Sequence, residues 1–203
     1  MNCAPGTYYD GSNGATSSAD CKGCPIGKHG PSEGAASLYQ CLGCPQGKLN
    51  PDTAQSSCSY CPPGKYGLTV NSTDESLGCA NCPKGKFSSV EGITGAWQCQ
   101  NCPRGRYGDV EGALYNNQAC KECPKGKKGV ELGGSSDAAC IDCEPGSYRS
   151  VPGESSCVLC DKGKYGTESA FLTRDDETTS CTPCRSNTFS GAFGVASSVV
   201  SFR

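Results

Sequence analysis

Cysteine is the residue type in this sequence that could support the most kinds of chemistry. The chain has 203 residues, of which 19 are cysteines. Cys3 stands alone, and the other cysteines form CxxC pairs at positions 21/24, 41/44, 58/61, 79/82, 99/102, 120/123, 140/143, 157/160 and 181/184. Thiols at this spacing can bind zinc, exchange disulfides or build a structural disulfide framework.

Zinc and redox chemistry fit the surrounding sequence poorly. Nine pairs do not divide into sites of four ligands, and Cys3 has no close partner. A thioredoxin-like thiol needs a lowered pKa at a helix start, and no helical periodicity surrounds any pair. We therefore favour structural disulfides; bound zinc, or a bond within a pair such as Cys79–Cys82, would support the alternatives.

Other candidates for site chemistry are few. His29 is the only histidine, and we expect it to be a packing residue. The carboxylates of "RDDETTS", Arg174 to Ser180, lack the ligand pattern of an EF-hand, so we expect a solvated loop. The sequon "NST" predicts glycosylation at Asn71. We predict no catalytic residue, no metal, no cofactor and no enzymatic activity.

Composition places the chain in an oxidising compartment. Cysteine at this density, with 28 Gly and 13 Pro, is typical of a disulfide scaffold that replaces a large apolar core. Such a framework persists in extracellular or secretory environments. The net charge of -2 predicts no nucleic-acid partner, and no apolar run is long enough for membrane insertion. Because no secretory leader is visible, we interpret the chain as processed or as part of a longer one.

The elements that position these cysteines are repeats. Each begins at a cysteine, and we number them 1 to 10 from Cys3, Cys24, Cys44, Cys61, Cys82, Cys102, Cys123, Cys143, Cys160 and Cys184. The third residue after the opening cysteine, here the turn glycine, is Gly6, Gly27, Gly47, Gly64, Gly85, Gly105, Gly126, Gly146 or Gly163. The fifth, here the cover residue, is aromatic at Tyr8, Tyr66, Phe87, Tyr107, Tyr148, Tyr165 and Phe189, and is otherwise His29, Leu49 or Lys128.

Each repeat reads as a small irregular hairpin. Cys-Pro-x-Gly suits a type I turn, while Cys3-Ala-Pro-Gly and Cys143-Glu-Pro-Gly suit a type II turn. We expect each cover residue to shield the disulfide of its own repeat, and contacts to join nearest neighbours only. The fold class predicted is small, disulfide-rich and mostly irregular or β, an elongated solenoid-like array of nine to ten short hairpins. Its radius of gyration should exceed the roughly 17 Å of a compact chain of this length.

The spacing predicts the disulfide pairing. We expect each opening cysteine to bond the first cysteine of the next CxxC pair, which leaves Cys184 unpaired or intermolecular. The predicted bonds are Cys3–Cys21, Cys24–Cys41, Cys44–Cys58, Cys61–Cys79, Cys82–Cys99, Cys102–Cys120, Cys123–Cys140, Cys143–Cys157 and Cys160–Cys181. Each closes a loop of a size that contributes roughly 3 kcal/mol in the chain-entropy model.

A longer period predicts two blocks of repeats. The cysteine intervals 18, 17, 14 and 18 from Cys3 recur as 18, 17, 14 and 21 from Cys102, an offset of 99 residues. We assign block one to residues 1–101, block two to 102–189 and an apolar tail to 190–203. A duplication of five repeats would explain the offset, although so narrow a set of intervals also permits coincidence.

The repeat pattern resembles a known family. C-x-x-C-P-x-G-x-[Tyr/Phe], ending on the next C-x-x-C, is similar to the ephrin-receptor-like cysteine-rich repeats, including those of protist and algal surface proteins. It resembles tumour-necrosis-factor-receptor modules more distantly. The resemblance runs from Cys3 to about Phe189, but Asp161-Lys162 replaces proline in repeat 9 and Asn187 replaces glycine in repeat 10. It implies an extracellular spacer, stalk or adhesion module.

Two features bear on partners. A basic residue follows the turn glycine in most repeats and could form a stripe that binds anionic glycans: Lys28, Lys48, Lys65, Lys86, Arg106, Lys127 and Lys164.

The tail "SGAFGVASSVVSFR" is the most apolar stretch, and we expect a continuation of the chain or a neighbouring protomer to complete it. We predict a structural protomer or segment of an extracellular filament, coat or stalk that binds itself or other surface and matrix proteins. The alternative is a ligand-binding or adhesion ectodomain.

Overall fold

The computed structural model describes residues 2–11, 16–166, 173–185 and 191–196. Within them, nine two-stranded antiparallel hairpins follow one another along the chain, which confirms the predicted disulfide-rich, mostly β or irregular repeat array. The hairpins are β1 (Thr7–Tyr8) with β2 (Lys22–Gly23), β3 (Lys28–His29) with β4 (Leu42–Gly43), β5 (Lys48–Leu49) with β6 (Ser59–Tyr60), β7 (Lys65–Gly67) with β8 (Cys79–Asn81), β9 (Lys86–Phe87) with β10 (Gln100–Asn101), β11 (Arg106–Tyr107) with β12 (Lys121–Glu122), β13 (Lys127–Gly129) with β14 (Cys140–Asp142), β15 (Ser147–Tyr148) with β16 (Val158–Leu159), and β17 (Lys164–Gly166) with β18 (Cys181–Pro183).

A single helical turn precedes the closing cysteine of seven repeats in the described residues. The α-helical turns are α1 (Glu75–Gly78), α2 (Asn116–Ala119) and α3 (Glu177–Ser180). The 3-10 turns are Ser18–Asp20, Leu38–Gln40, Ala96–Gln98 and Asp137–Ala139. None of these helices is long and apolar enough to cross a membrane. Repeats 3 and 8, whose disulfides have the shortest separation of 14, return without a helical turn.

The turn after each Cys-Pro-x-Gly opening differs from the predicted type I turn, whereas the type II turns predicted after Cys3 and Cys143 are confirmed by φ of 85° at Gly6 and 84° at Gly146. The Lys28 N–H donates to the Pro25 carbonyl over 3.1 Å, so the turn begins at the proline and not at the cysteine. Gly27 is then the third turn residue, and its φ is 74°. A positive φ at that place is what a type II turn requires and what glycine supplies most readily. The prediction of type I turns is therefore wrong.

The nine disulfides join the cysteine pairs that the sequence predicts, without a bond inside any CxxC pair. The bonds are Cys3–Cys21, Cys24–Cys41, Cys44–Cys58, Cys61–Cys79, Cys82–Cys99, Cys102–Cys120, Cys123–Cys140, Cys143–Cys157 and Cys160–Cys181.

The core of the array consists largely of these disulfides. Most opening cysteines are fully buried. Among the closing cysteines, Cys99 and Cys120 are buried, whereas Cys21 and Cys157 are half-buried. The core is therefore divided into small clusters, each built around one disulfide.

The cover residues do not shield the disulfides of their own repeats. Tyr8 of repeat 1 packs with Cys24 and Cys41, which form the disulfide of repeat 2. Leu49 packs in the same way on the disulfide of repeat 4, and Tyr66 on that of repeat 5. The expectation is wrong because the hairpin strand carries its fifth residue past its own cysteines and onto the following repeat.

Adjacent repeats are held by the same backbone hydrogen bonds throughout. The N–H of each opening cysteine donates to the preceding turn glycine, as Cys24 does to Gly6 over 2.8 Å. The sixth residue after the opening cysteine, here the edge residue, donates to the next repeat, as Gly67 does to Ile93 over 2.8 Å. These bonds satisfy backbone groups that strands of two or three residues cannot pair among themselves.

Contacts also reach the next-but-one repeat, which corrects the expectation of nearest-neighbour packing. A Cβ on Gly47 of repeat 3 would lie 2.4 Å from the carbonyl oxygen of Gly92 in repeat 5. A Cβ on Gly105 of repeat 6 would lie 2.0 Å from the carbonyl oxygen of Gly153 in repeat 8. The turn glycines are therefore required twice, for the turn itself and for the backbone of a repeat roughly 48 residues later.

The chain divides into two compact units whose sequences interleave. One comprises Met1–Cys82, Ser88–Gln100 and Gly112–Leu114; the other comprises Pro83–Phe87, Asn101–Glu111 and Tyr115–Arg203. The contacts above occur inside each unit. Equivalent ion pairs also recur at the offset of 99 residues, since Asp10–Lys22 corresponds to Asp109–Lys121.

Candidate functional site

Where consecutive repeats meet, a side chain on one repeat faces a glycine or a small residue on the other. We did not predict this arrangement from the sequence. The tenth residue after the opening cysteine, here the loop residue, faces the residue just before the opening cysteine of the preceding repeat. A Cβ on Gly92 would lie 2.3 Å from the Tyr60 ring, and one on Gly43 would lie 1.8 Å from Asn71 Oδ1. One partner carries a side chain and the other is glycine.

This exchange of side chain for glycine recurs along the array. The pairs are Asn2/Gly34, Gly23/Ala54, Gly43/Asn71, Tyr60/Gly92, Asn81/Gly112, Asn101/Gly133, Glu122/Gly153 and Leu159/Gly194. The loop residues all have a positive φ, including the non-glycine residues Ala54 and Asn71. Recurrent Gly or Asn ten residues after the cysteine was the signal that could have revealed the junction.

Cys184 is the one free thiol among the described cysteines and is half-buried. Its N–H donates to Gly163 as in every other repeat, over 2.8 Å. The loop residue Gly194 donates to Cys160 over 3.0 Å, and Val195 accepts from Gly166 over 2.7 Å. Residues 191–196 of the predicted tail therefore make the contacts of a repeat 10 loop; Phe189 and residues 197–203 lie outside the described part of the chain.

Carboxylates neutralise much of the predicted basic stripe. Four of its seven residues form ion pairs, which are Lys65–Glu75, Arg106–Glu122, Lys127–Asp142 and Lys164–Glu177. Lys48 instead lies with its ammonium 4.2 Å from the centroid of the Tyr60 ring. The positive charge that remains is local to particular repeats, and a continuous glycan-binding stripe stays a prediction.

Asn71 has a structural reason for its identity. It is a loop residue with φ of 58°, a left-handed conformation that asparagine tolerates better than most residues. Its N–H donates to the Cys44 carbonyl over 2.7 Å, while the residue itself is exposed. Ser72 of the sequon is buried. Glycosylation at Asn71 stays a prediction.

The acidic segment 174–180 is organised around α3. Asp176 caps this helix, and hydrogen bonds from the side chain and backbone of Thr178 hold the pKa of Asp176 below its usual value. Glu177 pairs with Lys164, and the hydrogen bond from that pair raises the pKa of Lys164. Both carboxylates thus stabilise the repeat, and the expectation of a solvated loop is wrong for Glu177–Ser180, which form α3.

His29 lies beside the disulfide of repeat 3. As the cover residue of repeat 2 it places Nδ1 3.2 Å from Cys58 Sγ, so it follows the packing rule of the array. The arrangement His29, Cys44 and Cys58 brings three potential metal ligands within 4.8 Å. Both sulfurs belong to one disulfide, however, and a disulfide sulfur does not ligate metals as a thiolate does.

A pocket opens next to His29 between repeats 2 and 3. Its volume is about 250 Å³, and its lining includes His29, Pro31, Pro45, Lys48, Ser56 and Ser57. The lining combines two groups able to carry positive charge with two hydroxyls and two apolar rings. Among the described residues that form the wall, none is a carboxylate. The arrangement can bind a small anionic group, and it is specific to these two repeats in its side chains.

Comparison with protein-family models and with curated proteins finds no match to this chain.

Proposed function

We propose that the chain is a non-enzymatic structural module of an extracellular filament, surface coat or stalk. The observation that carries this proposal is the repetition of one set of backbone contacts from repeat to repeat. The opening cysteine bonds the preceding turn glycine at each junction from Cys24 to Cys184. Surfaces that match their neighbours by backbone atoms and glycines are suited to extending an array by further copies of the same unit.

The disulfides support an oxidising, secreted or extracellular setting for this role. Nine bonds in 203 residues would not persist in a reducing cytosol. The resemblance to ephrin-receptor-like repeats supports the same setting. The proposed partner is a second copy of the chain, or another surface or matrix protein built from comparable hairpins.

The test is self-association of the oxidised, secreted chain. Sedimentation velocity over a wide concentration range should reveal species above the monomer mass of 20.9 kDa, and electron microscopy should show linear assemblies. A matched Cys184→Ser variant separates association through this thiol from non-covalent association. A chain that remains monomeric at every concentration, with and without the substitution, would exclude self-assembly.

A second candidate function is favoured by the His29 pocket. A ligand-binding or adhesion ectodomain needs a feature confined to one or two repeats, and the pocket is such a feature. Both functions are compatible with one array, since the junctions use backbone atoms and the pocket uses side chains.

A further inference from the structure

We propose that the pocket between repeats 2 and 3 binds an anionic monosaccharide unit, a sugar ring that carries a carboxylate. The inference rests on the second candidate function and is independent of self-assembly. It uses only residues of repeats 2 and 3.

The nitrogen-bearing side of the pocket is formed by Lys48 and His29. Lys48 is held over the Tyr60 ring at 4.2 Å, and it is not among the basic residues paired with a carboxylate in the described part of the chain. Nδ1 of His29 lies 3.2 Å from Cys58 Sγ, which can only accept a hydrogen bond because it belongs to the Cys44–Cys58 disulfide. Nε2 is the ring nitrogen left for a ligand, and it donates when it carries a ring proton. A lysine and a histidine in the lining of one cleft favour an oxyanion.

The other walls favour a sugar over a bare anion. Ser56 and Ser57 supply hydroxyls that can exchange hydrogen bonds with ring hydroxyls, and Pro31 and Pro45 offer apolar faces to the C–H groups of a ring. A volume of about 250 Å³ is slightly below that of typical drug-sized sites and suits a single ring.

The second block differs from the first in the residues at this place. At the offset of 99 residues, Lys128 replaces His29, Ser147 replaces Lys48 and Arg149 replaces Asn50. The Arg149 guanidinium donates to the carbonyl and the hydroxyl of Ser156, which corresponds to Ser57. In the first block the Asn50 amide instead donates to the Lys28 carbonyl over 2.7 Å, which leaves Ser57 to line the pocket.

The binding test is a nuclear magnetic resonance titration of the oxidised, isotope-labelled chain. Methyl β-glucuronide should shift the signals of His29, Lys48 and Ser57 saturably, with a dissociation constant in the millimolar range. The neutral methyl β-glucoside should bind at least tenfold more weakly. Equal binding of both sugars would overturn the proposal, as would glucuronide shifts spread evenly over the basic positions of both blocks. Acetate serves as the anion control: equal binding of acetate would refute the sugar component.

Three variants sharpen the result. Asn50→Arg copies Arg149 into the first block, and we expect it to abolish glucuronide binding by filling the pocket. Lys48→Met should weaken binding at least tenfold, whereas Lys86→Met, which removes the basic residue of repeat 5, should leave it unchanged. Mass spectrometry of the nine disulfides establishes that each variant has folded, and Lys48→Met decides the outcome if Asn50→Arg does not fold. Unchanged binding in Lys48→Met would overturn the proposal.

Sedimentation of the same samples separates the two proposed functions. Sugar binding without self-association would support the pocket proposal and exclude the filament. Self-association without sugar binding would support the filament and exclude the pocket proposal.

Discussion

Repeats 2 and 3 and repeats 7 and 8 are two versions of one structure. Their disulfide separations are 17 and 14 in both cases, and the opening cysteines Cys44 and Cys143 donate to turn glycines over 2.9 and 2.8 Å. They differ in the cover, basic and edge residues. One version has an open pocket beside an imidazole, and the other has an arginine bonded to the equivalent serine.

The difference separates two kinds of position in the repeat. Cysteines and turn glycines make the backbone contacts that join the repeats, and they are nearly invariant along the chain. The cover and basic residues, and the side chains of edge residues other than glycine, vary without changing the disulfide spacing. A structural role depends on the first kind of position and a recognition role on the second.

The largest expected effect comes from removing the disulfide of repeat 3 or of repeat 8. Both close loops with a separation of 14, so the chain-entropy model gives a loss of roughly 3 kcal/mol for Cys44→Ala/Cys58→Ala and for Cys143→Ala/Cys157→Ala alike. Native-state hydrogen exchange measures the loss in the affected repeats and their neighbours. A difference well above 1 kcal/mol between the two variants would show that the cover residues His29 and Lys128 stabilise their disulfides unequally.

The next effect concerns the edge glycines. A Cβ on Gly67 would lie 2.1 Å from the Gly47 nitrogen, and one on Gly166, its equivalent in block two, 1.8 Å from the Gly146 nitrogen. Backbone atoms cannot move aside as side chains do, so each Gly→Ala substitution should destabilise its junction by about 1–3 kcal/mol. Ser88→Ala is the matched control, because repeat 5 already carries a side chain at this position, and it should change stability by less than about 1 kcal/mol. Hydrogen exchange at increasing denaturant concentration measures the loss of stability in each variant. A loss for Gly67→Ala as small as that for Ser88→Ala would contradict the prediction.

The sequence predicts the local part of this fold well and the longer-range part poorly. Regular spacing of cysteines, together with Pro and Gly after each, specifies hairpins, disulfide partners and the leftover Cys184. Two features could not be predicted: the packing of Tyr8 on the disulfide of the next repeat, and the close approach of Gly47 to repeat 5. Both depend on how each hairpin is rotated relative to the next, and the sequence of a single repeat does not specify that rotation.

The candidate pocket could be predicted only in part. His29 stood out as the sole histidine, and its role as a packing residue agrees with its contact to Cys58. The pocket itself lies where the two blocks differ, since the Asn50 amide donates to Lys28 whereas Arg149 donates to Ser156, the equivalent of Ser57. Alignment of the two blocks at residues 50 and 149 contains this signal, but its meaning depends on the location of Ser57.

A smaller effect tests the exchange of side chain and glycine at the junction. The first block has Gly43 opposite Asn71, whereas the corresponding residues of the second block, Asp142 and Arg174, both carry side chains. Gly43→Asn alone should cost about 1–2 kcal/mol, because its side chain meets Asn71. Adding Asn71→Gly should recover most of that loss and recreate the arrangement of Asn81 and Gly112. A double variant as unstable as the sum of its parts would refute the complementarity.

The smallest effect concerns equivalent surface ion pairs, Asp109–Lys121 in block two and Asp10–Lys22 in block one. The hydrogen bond from Lys121 lowers the pKa of Asp109 from 3.8, and the corresponding bonds raise the pKa of Lys121 and Lys22. Since folding lowers the pKa of Asp109, its contribution to stability is present above about 3.8 and is lost as pH falls through the lower value of the folded state.

The measurement is the melting temperature of the unmodified chain and of Asp109→Asn at a series of pH values from 7 to 2. The difference should be on the order of one degree at neutral pH, should decline below about pH 4 and should vanish at the acid end. High salt should reduce it, because both members of the pair are exposed and salt screens such charges. Asp10→Asn is the matched variant in block one, and a melting-temperature difference of the same size would show that the two blocks use this pair equivalently. A difference for Asp109→Asn that persisted unchanged to pH 2 would mean that the side chain stabilises repeat 6 through packing and not through its charge.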